Sequence, residues 1–154
     1  MLGIVVTSYI PHYFLYHDEL LSKLDSNYKP VFITSYENHK FVTDVGKSMN
    51  TELYYLDENP GKHDGTFYLI SSTNELFSEC DYVLHYHADI FFKDGIDLIR
   101  KTYEKVKEGN YKIAGIPRQW LFDDNLKYIN NNSIPVHFDF TIMRYDLFKQ
   151  IFNL

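Results

Sequence analysis

The segment Asp81 to Phe92, DYVLHYHADIFF, holds the residues best suited to chemistry: His85, His87 and Asp89 at every second position. A short apolar run leads into them and a second apolar pair follows. This is the pattern of a buried strand that ends in polar side chains. Alternate residues of a strand share a face. Tyr82, Leu84, Tyr86 and Ala88 are therefore expected on one side, and Val83, His85, His87 and Asp89 on the other. Unpaired polar groups are costly to bury, so two imidazoles and a carboxylate beside a core strand point to a site or a cavity. Imidazole and carboxylate are also ligands for divalent cations. Same-face neighbours on a strand lie ~6.6 Å apart, so one ion does not easily take all three, and His85 is expected to be structural.

The elements that would position this segment follow from pattern. Leu2 to Ser8 is a continuous apolar and β-branched run, as in a strand buried on both faces. Helical spacing runs from Tyr13 to Leu24 and breaks at Asp25. Strands are predicted at Val31–Ser35 and Glu52–Leu56, with a short helix over Phe41–Met49 between them. Asn59-Pro60-Gly61 reads as a turn, and Thr66–Phe77 as a helix feeding the central strand. Ile96–Lys107 is the clearest amphipathic helix, stopped by Gly109-Asn110. Tyr111–Ile116 and Pro135–Arg144 are the last two strands, and a helix starts at Tyr145. Gln119 to Ser133 lacks periodicity and contains three consecutive asparagines, so a mobile loop is expected there.

Strands alternating with helices predict an α/β fold: three layers, doubly wound around a mostly parallel sheet. In such sheets ligands bind beyond the carboxyl ends of the strands. Thr7, Ser8, Tyr9, Tyr36, Glu37, His87 and Asp89 all fall there, so fold and polar cluster agree on one site.

With 154 residues the chain suits a single domain, 1–154, with a real core. Hydrophobic residues at 45% and charged residues at 23% exclude a disordered chain. The net charge of -6 argues against a nucleic-acid partner. One cysteine, Cys80, allows no internal disulfide and fits a reducing, cytoplasmic setting. No apolar run approaches the ~20 residues that span a bilayer, and no signal peptide is read.

In this order of motifs the sequence resembles the nucleotide-sugar-dependent glycosyltransferases of the GT-A fold, near the large inverting family that builds polysaccharides. IVVTSY is similar to that family's first strand, which cradles the nucleobase. Glu37 follows the second strand, where an acidic residue often meets base or ribose. A helix over Thr66–Phe77 feeds a strand that ends in an acidic motif, and YVLHYHADIFF resembles the strand ending in the metal-binding Asp-x-Asp. Here the motif reads His87-Ala88-Asp89, with the second aspartate kept. The family's usual further strands and acceptor-side helices are missing, so a minimal enzyme, a fragment, or one domain of a larger assembly all stay open.

The resemblance implies a nucleoside-diphosphate sugar donor, a glycan or other hydroxyl acceptor, and Mn²⁺ or Mg²⁺ on the diphosphate, with His87 favouring Mn²⁺. Asp89, His87 and His137 are the implied metal ligands. Thr7, Ser8, Tyr9, Glu37, His87 and Asp89 are the implied donor contacts. Asp139 is the implied base for an inverting transfer. Lys62 and Asp64 stand where the family holds the donor, and Arg118 and Trp120 are sugar-contact candidates. Plain structural roles stand beside these: a turn-capping Asp89, a hydrogen-bonded His87, a core Tyr9, and an Asp139 satisfied by backbone. Peripheral membrane association is compatible with the resemblance, and oligomeric state is not readable.

Two other functions compete. A transferase fold that binds sugar or protein without turnover would explain the altered motif. His87-x-Asp89 with His137 also has the order of a facial triad in a non-haem Fe(II) oxygenase. That enzyme class requires a jelly roll, which the helical periodicity of Ile96–Lys107 opposes.

Overall fold

The computed structural model describes residues 1–58, 61–117 and 136–152, with backbone only at 62–64, 116–117 and 136–138. Among the described residues six strands form one sheet: β1 (Leu2–Thr7), β2 (Tyr28–Thr34), β3 (Leu53–Tyr55), β4 (Tyr82–His87), β5 (Ile113–Pro117) and β6 (Val136–Arg144). Their order is β3-β2-β1-β4-β6-β5. β1 lies at the centre, parallel to β2 and β4, and β3 extends the parallel set beyond β2. β6 runs antiparallel to β4 and β5. The sheet is thus mostly parallel with one reversed strand, and the fold is α/β.

Every residue of β1 is buried, which is why its run is uninterruptedly apolar up to Thr7. β2 begins three residues before the expected Val31, with Pro30 inside it opposite Ile4. β3 reaches only Phe32–Thr34 of β2, so Pro30 lies on a stretch with an open edge, where a missing N–H is tolerated.

Among the described residues five α-helices cover the sheet: α1 (Phe14–Leu21), α2 (His39–Lys47), α3 (Lys62–Ser72), α4 (Ile96–Glu108) and α5 (Tyr145–Ile151). On one face Leu2, Ile4, Val6, Leu84 and Tyr86 pack with Phe14 and Leu21 of α1 and with Ile99, Tyr103 and Val106 of α4. On the other, Val5, Val31, Ile33 and Val83 pack with Leu69 and Ile70 of α3 and Phe148 of α5. The alternation read from the sequence therefore separates two cores, one on each side of β4.

The helix ends differ from expectation in instructive ways. α3 starts at Lys62 rather than Thr66, because Gly61 at φ 88° turns the chain directly into it. A short 3₁₀ turn, Asn74–Phe77, takes up the rest of the predicted helix. At the end of α4 the left-handed residue is Asn110, at φ 48°, while Gly109 stays in the right-handed region. Asparagine is the usual non-glycine choice for that position. The expected loop at Gln119–Ser133 and the turn residues Asn59 and Pro60 lie outside the described residues.

Candidate functional site

The carboxyl ends of β1, β2 and β4 and the first turns of α3 enclose an open cleft of about 400 Å³. Thr7, Ser8, Tyr9, Glu37 and His87 line it. The donor contacts expected from the sequence thus share one cavity, with the exception of Asp89. Ser35, Gly61, Gly65 and Thr66 line it too, and sequence reasoning did not single them out as site residues. A glycine closing a turn into a helix was the available signal for Gly61.

Each side chain is placed by its element. Thr7 ends β1 and is 1% exposed. Ser8 accepts a hydrogen bond from the Ile10 amide at 3.1 Å and donates to the Ile10 carbonyl at 2.8 Å, which shapes the loop carrying Tyr9. Tyr9 is 50% exposed and stacks edge-on against Tyr36 at 5.3 Å, so it is a surface ring at the cleft and not a core residue.

A polar chain crosses three strands on the α3 side. His85 is buried, and its Nε2 lies 2.8 Å from Thr7 Oγ1. The same oxygen lies 3.2 Å from His87 Nδ1. The Thr7 hydroxyl has one hydrogen, so it donates to at most one of the two imidazoles. His87 Nε2 faces the reversed strand, where Asp139 Oδ1 stands 3.6 Å away. Antiparallel pairing of Tyr86 with Phe140 places Asp139 there. Both side chains reach solvent, at 27% for His87 and 46% for Asp139.

Asp89 lies beyond the strand. β4 ends at His87, and a turn closed by the Ile90 amide on the His87 carbonyl at 3.0 Å carries Asp89 into solvent. Strand alternation therefore does not extend to it. His85 joins Thr7 inside the sheet, in keeping with the structural role expected of it. His137 lies on β6 two positions before Asp139, but its side chain is outside the described residues, as are the side chains of Lys62 and Asp64. Arg118 and Trp120 are outside them altogether.

Among the described residues no three His, Cys, Asp or Glu side chains gather as a metal site. A cation shared with a diphosphate would draw on the His87 imidazole and the Asp89 carboxylate, with waters and phosphate oxygens completing its shell. Among the described residues the sheet is mostly parallel and helix-covered, which is not the jelly roll that the oxygenase alternative requires.

No protein-family model matches the chain, and no curated protein sequence does. Solved structures do match. The galactosyltransferase LgtC, in complex with donor and acceptor sugar analogues, superposes with a TM-score of 0.59 at 10% identity. The match covers 98% of this chain and 61% of that one. An active-site mutant of LgtC also gives a TM-score of 0.59 at 10% identity, with 96% of this chain and 59% of that one covered. HddC from Yersinia pseudotuberculosis gives 0.51 at 10% identity, covering 97% and 80%. The chain has the GT-A-like fold of these neighbours and spans about three fifths of the length of LgtC. Among the described residues no helix is long and apolar enough to cross a membrane.

Proposed function

We propose that this chain is a glycosyltransferase domain that binds a nucleoside-diphosphate sugar in the cleft and transfers the sugar, with inversion, to a hydroxyl of a glycan acceptor. The observation that carries the proposal is the convergence of Thr7, Ser8, Tyr9, Glu37 and His87 on one cleft, with Asp139 beside His87 at its end. The fold likeness to LgtC, a galactosyltransferase seen with donor and acceptor analogues, supports the same reading.

In this reading Tyr9 offers a ring to the nucleobase and Glu37 accepts from base or ribose. His87 and Asp89 hold Mn²⁺ or Mg²⁺, with His137 as a further ligand. When bound, the cation neutralises charge developing on the diphosphate leaving group. Thr7 fixes the His87 ring through Nδ1, so that Nε2 faces the open end. Asp139, half-exposed, takes the proton from the acceptor hydroxyl. Polysaccharide assembly in the cytoplasm is the setting proposed.

The test is thermal stability of the purified chain against UDP, GDP, ADP and CDP, with and without Mn²⁺. Saturation at 100 times the dissociation constant adds about 2.7 kcal/mol, which moves the midpoint by several degrees. A shift with one nucleotide that requires Mn²⁺ and is lost in Asp89→Asn is expected. No shift with any nucleotide would overturn the proposal. Binding without any transfer or donor hydrolysis would instead establish the non-catalytic alternative.

A further inference from the structure

On the opposite face of β4, behind the site, His17 of α1 is completely buried. Its Nε2 lies 2.9 Å from the Ala88 carbonyl oxygen and its Nδ1 lies 3.1 Å from the Tyr86 hydroxyl. A carbonyl only accepts, so Nε2 carries the hydrogen. In the neutral ring Nδ1 then accepts from the Tyr86 hydroxyl. Both nitrogens are committed, and the neutral tautomer is fixed.

Ala88 is the residue between His87 and Asp89, and it is held from two sides. Its amide donates to the Thr7 carbonyl at 2.9 Å, which ties it to β1. Its carbonyl accepts from His17, which ties it to α1. Tyr86 is likewise fully buried, and aromatic rings close the pair off: Phe92 meets Tyr86 at 4.9 Å, and Phe91 stacks on His17 at 6.0 Å. A leucine or phenylalanine would fill the same space without an imidazole to desolvate. The polar pair reaches the backbone of the turn that presents Asp89, which an apolar residue does not do.

We propose that His17 and Tyr86 are positioning residues that hold the His87–Asp89 turn in the arrangement competent to take a cation-bound nucleoside diphosphate. The proposal rests on the functional reading given above. It also extends it, since neither residue lines the cleft. Second-layer partners of metal ligands cost roughly 10–100-fold in metal affinity when removed.

The experiment uses the full chain with His17→Gln and Tyr86→Phe, titrated calorimetrically with UDP, GDP, ADP and CDP in the presence and absence of Mn²⁺. Amide exchange at Ile90, whose N–H closes the turn, is followed without ligand. Mn²⁺-dependent affinity is expected to fall by about tenfold or more, with Mn²⁺-independent binding unchanged and Ile90 exchange faster. Tyr86→Phe keeps the ring and carries the test if His17→Gln does not fold. Normal Mn²⁺-dependent affinity, equal loss with and without Mn²⁺, or unchanged Ile90 exchange would each overturn the positioning role. Failure of the functional reading itself shows elsewhere, as absent Mn²⁺-dependent binding in the unsubstituted chain or as its survival in Asp89→Asn. Either result removes the basis for the positioning role as well.

Discussion

Two histidines flank the end of β4 and do different work with the same ring. His17, on the α1 side, has no exposure, and both its nitrogens are bound to one neighbouring segment. His87, on the α3 side, keeps a quarter of its side chain in solvent, with one nitrogen on Thr7 and the other facing Asp139 across 3.6 Å. The first ring is saturated by the protein and serves geometry. The second is oriented by the protein and lines the cleft, and in the proposed function it serves a ligand. In the proposed function one ring holds a site and the other belongs to it, a distinction that rests on where each ring nitrogen points.

The largest effect is expected at Asp139. If Asp139 is the proposed base, asparagine there should leave donor binding intact while turnover falls by roughly 10²–10⁴-fold. Calorimetry with nucleoside diphosphate and Mn²⁺, alongside a transfer assay, reads both. If Asp139→Asn instead abolishes Mn²⁺-dependent binding, Asp139 is a co-ligand of His87 and the base lies elsewhere. Next in size is His87→Ala. Mn²⁺-dependent affinity should fall by more than the ~10–100-fold that an outer partner costs. The melting point should hardly move, because the ring is part-exposed. A large loss of stability with intact binding would make His87 structural and erase its contrast with His17.

The strands and their sides were legible because burial enforces period two. Tyr82, Leu84, Tyr86 and Ala88 do share one core, and Val83 lies in the other. The gathering of Thr7, Ser8, Tyr9 and Glu37 followed from the rule that parallel sheets bind ligands at carboxyl ends. The reach of β4 was not legible. Alternation carries no signal for where a strand stops, and Asp89 falls in the turn that follows. The reversed direction of β6, which brings Asp139 to His87, depends on a long connection whose geometry the sequence does not encode locally. His17 escaped notice although a signal existed. The buried stripe of α1 is Phe14, His17, Asp18 and Leu21, helical spacing with two polar residues in apolar places. Asp18 answers the amides of Asn50 and Thr51 at 2.6 and 3.0 Å, as His17 answers Ala88. A polar residue in a buried stripe marks a long-range tie, and the chain supplies two in succession.

The difference between the histidines should also appear in pH. Burial holds His17 below its ordinary value, against the opposing pull of the Ala88 hydrogen bond and the charge of Asp89. A histidine depressed in the folded state favours folding above the unfolded value of about 6.5, and that contribution is lost as pH falls through the folded value. The groups facing the ring from the packed elements are the Tyr86 hydroxyl, the Ala88 carbonyl, Tyr16 and the Asp89 carboxylate. Urea midpoints measured at pH 7.5 and again below 6 should fall with acidification. The fall should be smaller in His17→Gln than in the unsubstituted chain, and equal falls in both would show that His17 does not carry it.

The smallest effect tests the orientation of His87 alone. Thr7→Val keeps the buried volume of β1 and removes the hydroxyl shared by His85 and His87. One neutral hydrogen bond is worth about 0.5–1.5 kcal/mol, and leaving His85 without this partner adds a desolvation cost. Stability should therefore drop by roughly 1–3 kcal/mol. Donor affinity in Mn²⁺ should weaken further than affinity without it, because His87 loses the contact that turns Nε2 outward. Equal weakening in both conditions would mean that Thr7 shapes the cleft wall and does not aim the ring. The distinction between the two histidines would then rest on exposure alone.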